Sequence, residues 1–475
     1  MNPIDQYVDE MVGRAAQAAV AFRRFDQEQV DRIVEAVYEA GWNARHQLAR
    51  LAVEETQMGV FEHKVIKNSY ASLLVYEDIR PRRTVGVLCH DALRGISEVA
   101  HPKGPILATV PVTNPTSTTI FKTLICMKTR NPVIFSPHRG ARKCIKETAA
   151  ILAEAARRAG APEHAVQFLS RSQGEYVEKI MRHPKLALIL ATGTSSIVRT
   201  AQASGTPTLG VGPGNVPIYV HESADIPLAA RSIIFSKTFD NSTVCGSEQA
   251  LVVEPRVHRR LRPLLERAGA HFCSPAQMRA LGAVCVDVDR RRMRADIVGQ
   301  PATRIAELAG IKVPASTTVL VAQPGGVGAD HPLSYEVLAP VLAYYCVESY
   351  EQAYAMCEAL NHWGGVGHTV GVYANDERVV EDFERMNAGR ILVNTPSTQG
   401  AIGGTFNTLR PSLTLACGTF AGNLFTDNIS TEHLLNIHRV ARRRPNDRWL
   451  DATRDKSLDP SVDARQARAI YNRNY

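Results

Sequence analysis

The chain contains no apolar run of the roughly 18 residues needed to span a bilayer, although 45% of its 475 residues are hydrophobic. It has nine cysteines, an odd number, and no two are spaced as CxxC. That spacing argues against a zinc ribbon and a disulfide framework and for a reducing, intracellular compartment. Aromatic residues make up only 6% of the chain and do not interleave with its short basic clusters (Arg82-Arg83, Arg259-Arg260, 290–294, 442–444). A stacking platform for nucleic acid is therefore lacking. The net charge of +8 reads as solvated surface, with a nucleotide or other small anion as its chief beneficiary. The first residues, MNPIDQYVDEMVGRAAQ, are polar and carry acids, unlike a secretory or Arg-rich transit peptide. The expectation is a cytoplasmic protein with no membrane, nucleic-acid or metal partner.

What is present is alternation. The first eighty residues read as helices: Val30, Ile33, Val34 and Val37 keep helical spacing, and Asp26 with Gln29 has the spacing of a capping box. Residues 83–88 and 95–100 read as a hairpin. From about residue 104, apolar strand-like runs (106–112, 133–135, 166–169, 186–190, 218–220) alternate with helical ones, and the alternation restarts after Cys245. Near-continuous apolar strands between helices mean βαβ units and buried parallel sheets. The predicted fold class is α/β with two such domains. Past Trp449 the chain turns polar, with a short helical pattern over 462–471.

One stretch stands apart. In Ser236-Lys237-Thr238-Phe239-Asp240-Asn241-Ser242-Thr243-Val244-Cys245-Gly246-Ser247, a single cysteine sits among small, polar residues. Two readings stand: a nucleophile, or a half-buried inert thiol. Thr113-Asn114-Pro115 follows an apolar strand and offers either an oxyanion donor or a turn. Ala191-Thr192-Gly193-Thr194-Ser195 can hold a phosphate at a helix start or simply cap it. Gly210-Val211-Gly212-Pro213-Gly214 means close backbone approach, and no Gly-Lys-Ser/Thr follows to make it a P-loop. Glu336 is a lone acid in apolar surroundings, fit for a ribose or for a helix N-terminus. His368 follows three glycines and faces a cleft or a structural partner.

In order and context these stretches resemble the aldehyde dehydrogenase superfamily over essentially residues 5–450. The resemblance is carried by VIKNSYAS, VTNPTST, VIFSPHRGARK, GVGPGNVPIYV, SKTFDNSTVCGSEQ, GGVGHT, ILVNTPSTQGAIGG and PSLTLACGTFAGN. Within it the chain is similar to the CoA-acylating members. That resemblance implies a Rossmann-like cofactor domain (1–81 and 101–233) and a second α/β catalytic domain with the nucleophile (234–420). It also implies a small β oligomerisation element (82–100 and 421–450), and it leaves 451–475 as a polar tail. It implies Cys245 as nucleophile, Asn114 and the cysteine N–H as oxyanion donors, and His368 as an aid to thiol deprotonation. For the cofactor it implies Glu336 on the nicotinamide ribose, Ser136, Pro137 and His138 on the adenosine side, and Gly193 and Thr194 near the pyrophosphate, with Thr113 and Gly212 beside them.

Hydrolytic members of the superfamily carry a glutamate where this chain has Gly210 to Gly214. Without that base, water is a poor acyl acceptor, whereas a thiol needs no such help. The implied reaction is oxidation of a small aldehyde by NAD, or NADP, with transfer of the acyl group to coenzyme A. The alternatives are a hydrolytic dehydrogenase giving a free acid, a phosphate-dependent reductase of the same fold, and a non-catalytic assembly subunit. The implied partners are further copies in a homodimer or homotetramer, a separate alcohol dehydrogenase since none is expected to be fused, and a bacterial microcompartment.

Overall fold

A computed structural model of the chain describes residues 2–171, 174–443 and 457–474. The chain divides into two compact units, residues 1–82 with 102–435, and residues 83–101 with 436–475. The smaller unit is built on the hairpin β1 (Gly86–Asp91) and β2 (Ile96–Pro102). The strands are antiparallel, with a register shift between Val87 and Cys89.

The larger unit holds two parallel sheets. The first comprises β3 (Ile106–Val110), β4 (Val133–Pro137), β5 (Val166–Phe168), β6 (Leu188–Thr192) and β7 (Thr208–Val211) in the order β5-β4-β3-β6-β7. This is the doubly wound order, with its switch point between β3 and β6. Every residue of β3 and β4 is buried. One face packs on the helix Pro3–Phe22, where Val8 and Val12 meet Leu107, Ile134 and Ile189. The helices Gln27–Asn43, Pro115–Lys128 and Arg142–Arg158 contact one another as a separate layer. The capping box expected at Asp26 and Gln29 is formed.

The second sheet starts with β8 (Val216–Val220) and β9 (Glu248–Val253), and continues through β10 (Ala270–Phe272). A small antiparallel ribbon, β11 (Val286–Asp287) with β12 (Arg292–Met293), stands apart from it. The sheet is completed by β13 (Val319–Ala322), β14 (Val341–Cys346), β15 (Gly367–Tyr373) and β16 (Ala388–Val393), in the order β10-β13-β14-β9-β8-β15-β16. All its pairings are parallel. Side-chain alternation splits each strand between two cores. Ile218, Leu251 and Leu342 point into one, and Tyr219, Val252 and Ala343 into the other. A last strand, β17 (Leu435–Ala441), joins β1 and β2 to give the order β1-β2-β17.

Two expected boundaries move. Residues 216–220 were grouped with the cofactor domain, yet β8 pairs with β9 and β15 in the second sheet. The chain leaves the first sheet at Val211, so the division falls in the glycine loop 212–215 rather than at 233. Residues 421–434 stay with the larger unit, tied to it by the Leu415–Asn428 bridge, and only the chain from Asn436 belongs with the hairpin. The end of the expected oligomerisation element, 444–450, and positions 451–456 and 475 of the polar tail lie outside the described residues. The helix expected over 462–471 is present as Ala464–Asn474. Among the described residues no helix is long and apolar enough to cross a membrane.

Lys122 closes the switch point of the first sheet. It is fully buried, and its Nζ donates to the carbonyl of Thr109 at 2.8 Å and of Leu190 at 2.9 Å, bridging β3 and β6. Burial pulls its pKa down to about 7. Lys122→Ala removes both donors and leaves a cavity, and is expected to lower stability by about 3 kcal/mol, read from the urea midpoint. Lys122→Met, which refills the volume, is expected to lose less.

Candidate active site

The expected cofactor residues of the first sheet gather at one edge. Thr113 and Asn114 follow β3, Ser136 and Pro137 end β4, Gly193 and Thr194 follow β6, and Gly212 follows β7. This is the carboxyl edge, where doubly wound sheets leave room for ligands. His138 begins the next turn and accepts the Gly140 N–H on Nδ1 at 3.1 Å. Burial and Arg139 hold the His138 imidazole below its ordinary pKa. Thr194 precedes the helix Ser195–Gln202, and its hydroxyl bonds that of Ser196 at 2.9 Å.

The second sheet contributes from its opposite, amino edge. Gly214 leads into β8, Cys245 into β9, Glu336 into β14, and His368 sits at the start of β15. The two edges meet at Asn114, whose Nδ2 donates to the Thr243 carbonyl at 3.1 Å, two residues before Cys245. Cys245 is half-buried and packs against Leu392, Ala401 and Leu415. Its turn is strained: Asp240, Asn241 and Ser242 have φ of 50°, 52° and 63°, left-handed values that side chains other than glycine adopt only where surroundings enforce them.

Room at Gly210 to Gly214 is tightly limited. A Cβ on Gly210 would lie 2.7 Å from Val198 Cγ1, and one on Gly214 would lie 2.1 Å from the Cys245 carbonyl oxygen. A catalytic carboxylate does not fit at either position. The nearby carboxylate is Glu336, which accepts the Gly214 N–H at 3.0 Å. Burial raises its pKa to about 7, against the pull of the Gly214 N–H and of Lys237. The Cys245 thiol is pushed up to about 12 by burial, and next by the Glu336 carboxylate, while Arg390 and the cysteine's own N–H lower it. Burial thus favours the neutral thiol over the thiolate at Cys245.

His368 lies beside this cluster, with its Cε1 3.2 Å from the position a Gly214 Cβ would take. It is fully buried. Nδ1 pairs with the Thr369 hydroxyl at 2.9 Å, and Nε2 has no hydrogen-bond partner among the described residues. Burial holds its pKa well below the ordinary value. Arg390, beside it, is spent on the carbonyls of His368 (2.6 Å), Ala416 (2.9 Å) and Thr426 (3.2 Å), the Thr369 hydroxyl (3.1 Å) and Asn428 (3.3 Å).

Sequence reasoning missed several groups. Lys64 and Lys67 lie 2% exposed on the helix Phe61–Ser69 and pair with the fully buried Asp240. Burial lowers the Lys67 pKa to about 7, and Asp240 opposes the shift. The lysines hold the Asp240 carboxyl below its usual range despite its burial. Lys237, Glu248 and Gln249 form another buried polar set, with Glu248 accepting from Ser236 Oγ at 2.6 Å and the Ser397 N–H at 2.9 Å. The signal available was charge inside otherwise apolar helical runs. Among the described residues, no group of three or more His, Cys, Asp and Glu side chains could hold a metal ion.

Two parallel sheets, carboxyl edge of one toward amino edge of the other beside a half-buried cysteine, define an α/β protein. The chain belongs to the aldehyde dehydrogenase family, whose model matches residues 5–408. It is 41% identical over 447 residues to the bifunctional aldehyde-alcohol dehydrogenase AdhE of Escherichia coli (strain K12), covering 93% of this chain and 50% of that protein. This chain thus spans about half the length of that relative. The crystal structure of an acetylating aldehyde dehydrogenase from Geobacillus thermoglucosidasius is 41% identical, with a TM-score of 0.90, and the match covers 94% of this chain and all of that one. The propionaldehyde dehydrogenase of Rhodopseudomonas palustris, solved with bound CoA and an acylated cysteine, is 26% identical with a TM-score of 0.81, over 92% of this chain and 97% of that one.

The Glu336 charge is expected to govern both reactivity and pH response. Glu336→Gln removes the repulsion on the thiol, so Cys245 should be alkylated faster by iodoacetamide at pH 8 than in the parent chain. A carboxyl whose folded pKa is raised contributes stability below its unfolded pKa and loses it as pH rises through the folded one. The melting temperature of Glu336→Gln relative to the parent should therefore rise between pH 4.5 and about 7.

Proposed function

We propose that this chain is a CoA-acylating aldehyde dehydrogenase: it oxidises a small aldehyde with a nicotinamide dinucleotide and passes the acyl group to coenzyme A, reversibly. The observation that carries the reading is the lack of room for a water-activating carboxylate at Gly210 and Gly214, beside a reachable Cys245. The relative solved with CoA and an acylated cysteine supports it.

Cys245 attacks the aldehyde carbon, and the carbonyl oxygen takes up negative charge between Asn114 Nδ2 and the Cys245 N–H. A bound nicotinamide would supply the hydride acceptor, and Cys245 would then hold the acyl group as a thioester. Coenzyme A then displaces Cys245 by thiol exchange, which needs no hydrolytic base. The edge residues fit such a dinucleotide. A Cβ on Gly212 would meet only the Ala421 Cβ, at 3.9 Å, so this position is not crowded. Ser136 to His138 would take the adenosine side, Gly193 and Thr194 the pyrophosphate with Thr113 beside them, and Glu336 the nicotinamide ribose. NAD is the preferred cofactor, with NADP the alternative.

His368 serves as an acceptor of the thiol proton. The three-stranded sheet of the smaller unit serves as the surface through which copies associate. An alcohol dehydrogenase would take the same aldehyde onward, and a microcompartment is the other partner that the resemblance implies.

The test is NADH formation with a panel of neutral and anionic aldehydes. Sustained turnover should require CoA and give acyl-CoA in equal amount to NADH, with only a single burst in its absence. Cys245→Ala should lower the rate by about three orders of magnitude or more. Undiminished turnover without CoA would instead establish the hydrolytic reading.

A further inference from the structure

We infer that Lys67, anchored on Asp240, is the positioning residue that turns the Asn114 amide so that its NH₂ group faces the cysteine loop. The inference rests on the oxyanion role proposed for Asn114 and extends it to residues beyond that role. The two ends of an amide have nearly the same shape and opposite hydrogen bonding. Something must decide which end faces the reacting oxygen. An ammonium only donates, so its contact selects the carbonyl end. Lys67 Nζ lies 2.5 Å from Asn114 Oδ1. Nδ2 is thereby directed to the Thr243 carbonyl and the Thr113 hydroxyl, each at 3.1 Å. The flipped amide would set NH₂ against the ammonium and Oδ1 against the Thr243 carbonyl, two repulsive contacts at once.

Lys67 can impose this choice because its own position is over-determined. Nζ also donates to the Asp240 carboxylate and, at 3.1 Å, to the Thr243 hydroxyl. Asp240 accepts further from the Val60 N–H at 2.7 Å, Lys64 at 3.1 Å and the Thr243 hydroxyl at 2.7 Å. Lys64, one helical turn before Lys67 and on the same face, reaches the Thr113 carbonyl at 3.2 Å. One lysine thus holds Asn114 and the other the residue before it. The carboxylate they share sits in the strained turn that leads to Cys245. The oxyanion donor and the nucleophile are fixed to a single anchor. A cation on the amide oxygen also polarises the amide and strengthens Nδ2–H as a donor.

The experiment is a double-mutant cycle on the full chain, read as the rate of the single-turnover NADH burst and as KM for the cofactor. Lys67→Met leaves Asp240 paired with Lys64. It should slow the burst about 10- to 100-fold with an unchanged cofactor KM. Asn114→Ala should slow it further, and adding Lys67→Met to Asn114→Ala should cost nothing more, because Lys67 acts through Asn114. Lys67→Gln keeps an N–H donor for Oδ1 and should fall between the parent and Lys67→Met. It also takes the place of Lys67→Met in the cycle if that variant does not fold. A full burst in Lys67→Met, or losses that multiply in the double variant, would overturn the inference. A parent chain with no burst on any aldehyde would overturn the proposed function along with it, and so separates the two failures.

Discussion

The cysteine loop depends on a carboxylate that cannot reach water. Asp240 is fully buried, and an isolated ion in that position would cost more than folding can supply. Lys64, Lys67, the Val60 N–H and the Thr243 hydroxyl offset that cost. Their arrangement draws three distant stretches of chain together: the helix at 61–69, the turn after β3, and the turn before Cys245. The left-handed residues 240–242 persist because this network leaves them no alternative. Stability and site geometry rest here on the same contacts. A change at Asp240 would leave two lysine side chains buried side by side without their carboxylate, and would loosen the Cys245 turn and Asn114 together.

The sheets explain why the site lies between them. A doubly wound sheet offers ligands its carboxyl edge, and the residues after β3, β4, β6 and β7 occupy that edge. The second sheet presents its amino edge, where the loops entering β8, β9 and β14 supply Gly214, Cys245 and Glu336. Under the proposed function, the first sheet would hold the dinucleotide and the second the covalent intermediate. Lys122 fills the switch point of the first sheet below its mouth, bonded to Thr109 and Leu190. It bridges the two central strands of the sheet, β3 and β6, where the winding reverses.

Much of this was legible in the sequence because it is local. Apolar runs gave β3, β4, β9, β14 and β16 to within two or three residues, since fully buried parallel strands read as unbroken apolar stretches. Cys245 stood out by its small, polar neighbours. What escaped depends on distance along the chain. Lys67 and Asp240 are 173 residues apart, and no periodicity links them. β8 was assigned to the wrong sheet because strand order is a property of pairing, which alternation alone does not encode. β7 and β10 were not seen at all: the first hides in the glycine-rich run at 208–211, and the second is three residues long.

The electrostatics of Cys245 bear on how such a site avoids spending its nucleophile. Burial, and next the Glu336 carboxylate, raise the Cys245 pKa to about 12, which favours the neutral thiol over the more reactive thiolate. Glu336 itself titrates near 7, and its charge is the part of that barrier which can change. Any donor that bonds the carboxylate spreads its charge and eases ionisation of the sulfur. Glu336 is half-buried and accepts the Gly214 N–H at 3.0 Å. Its charge is the contribution to the thiol's shift that a further hydrogen-bond donor would reduce, whereas the contribution of burial is set by the fold.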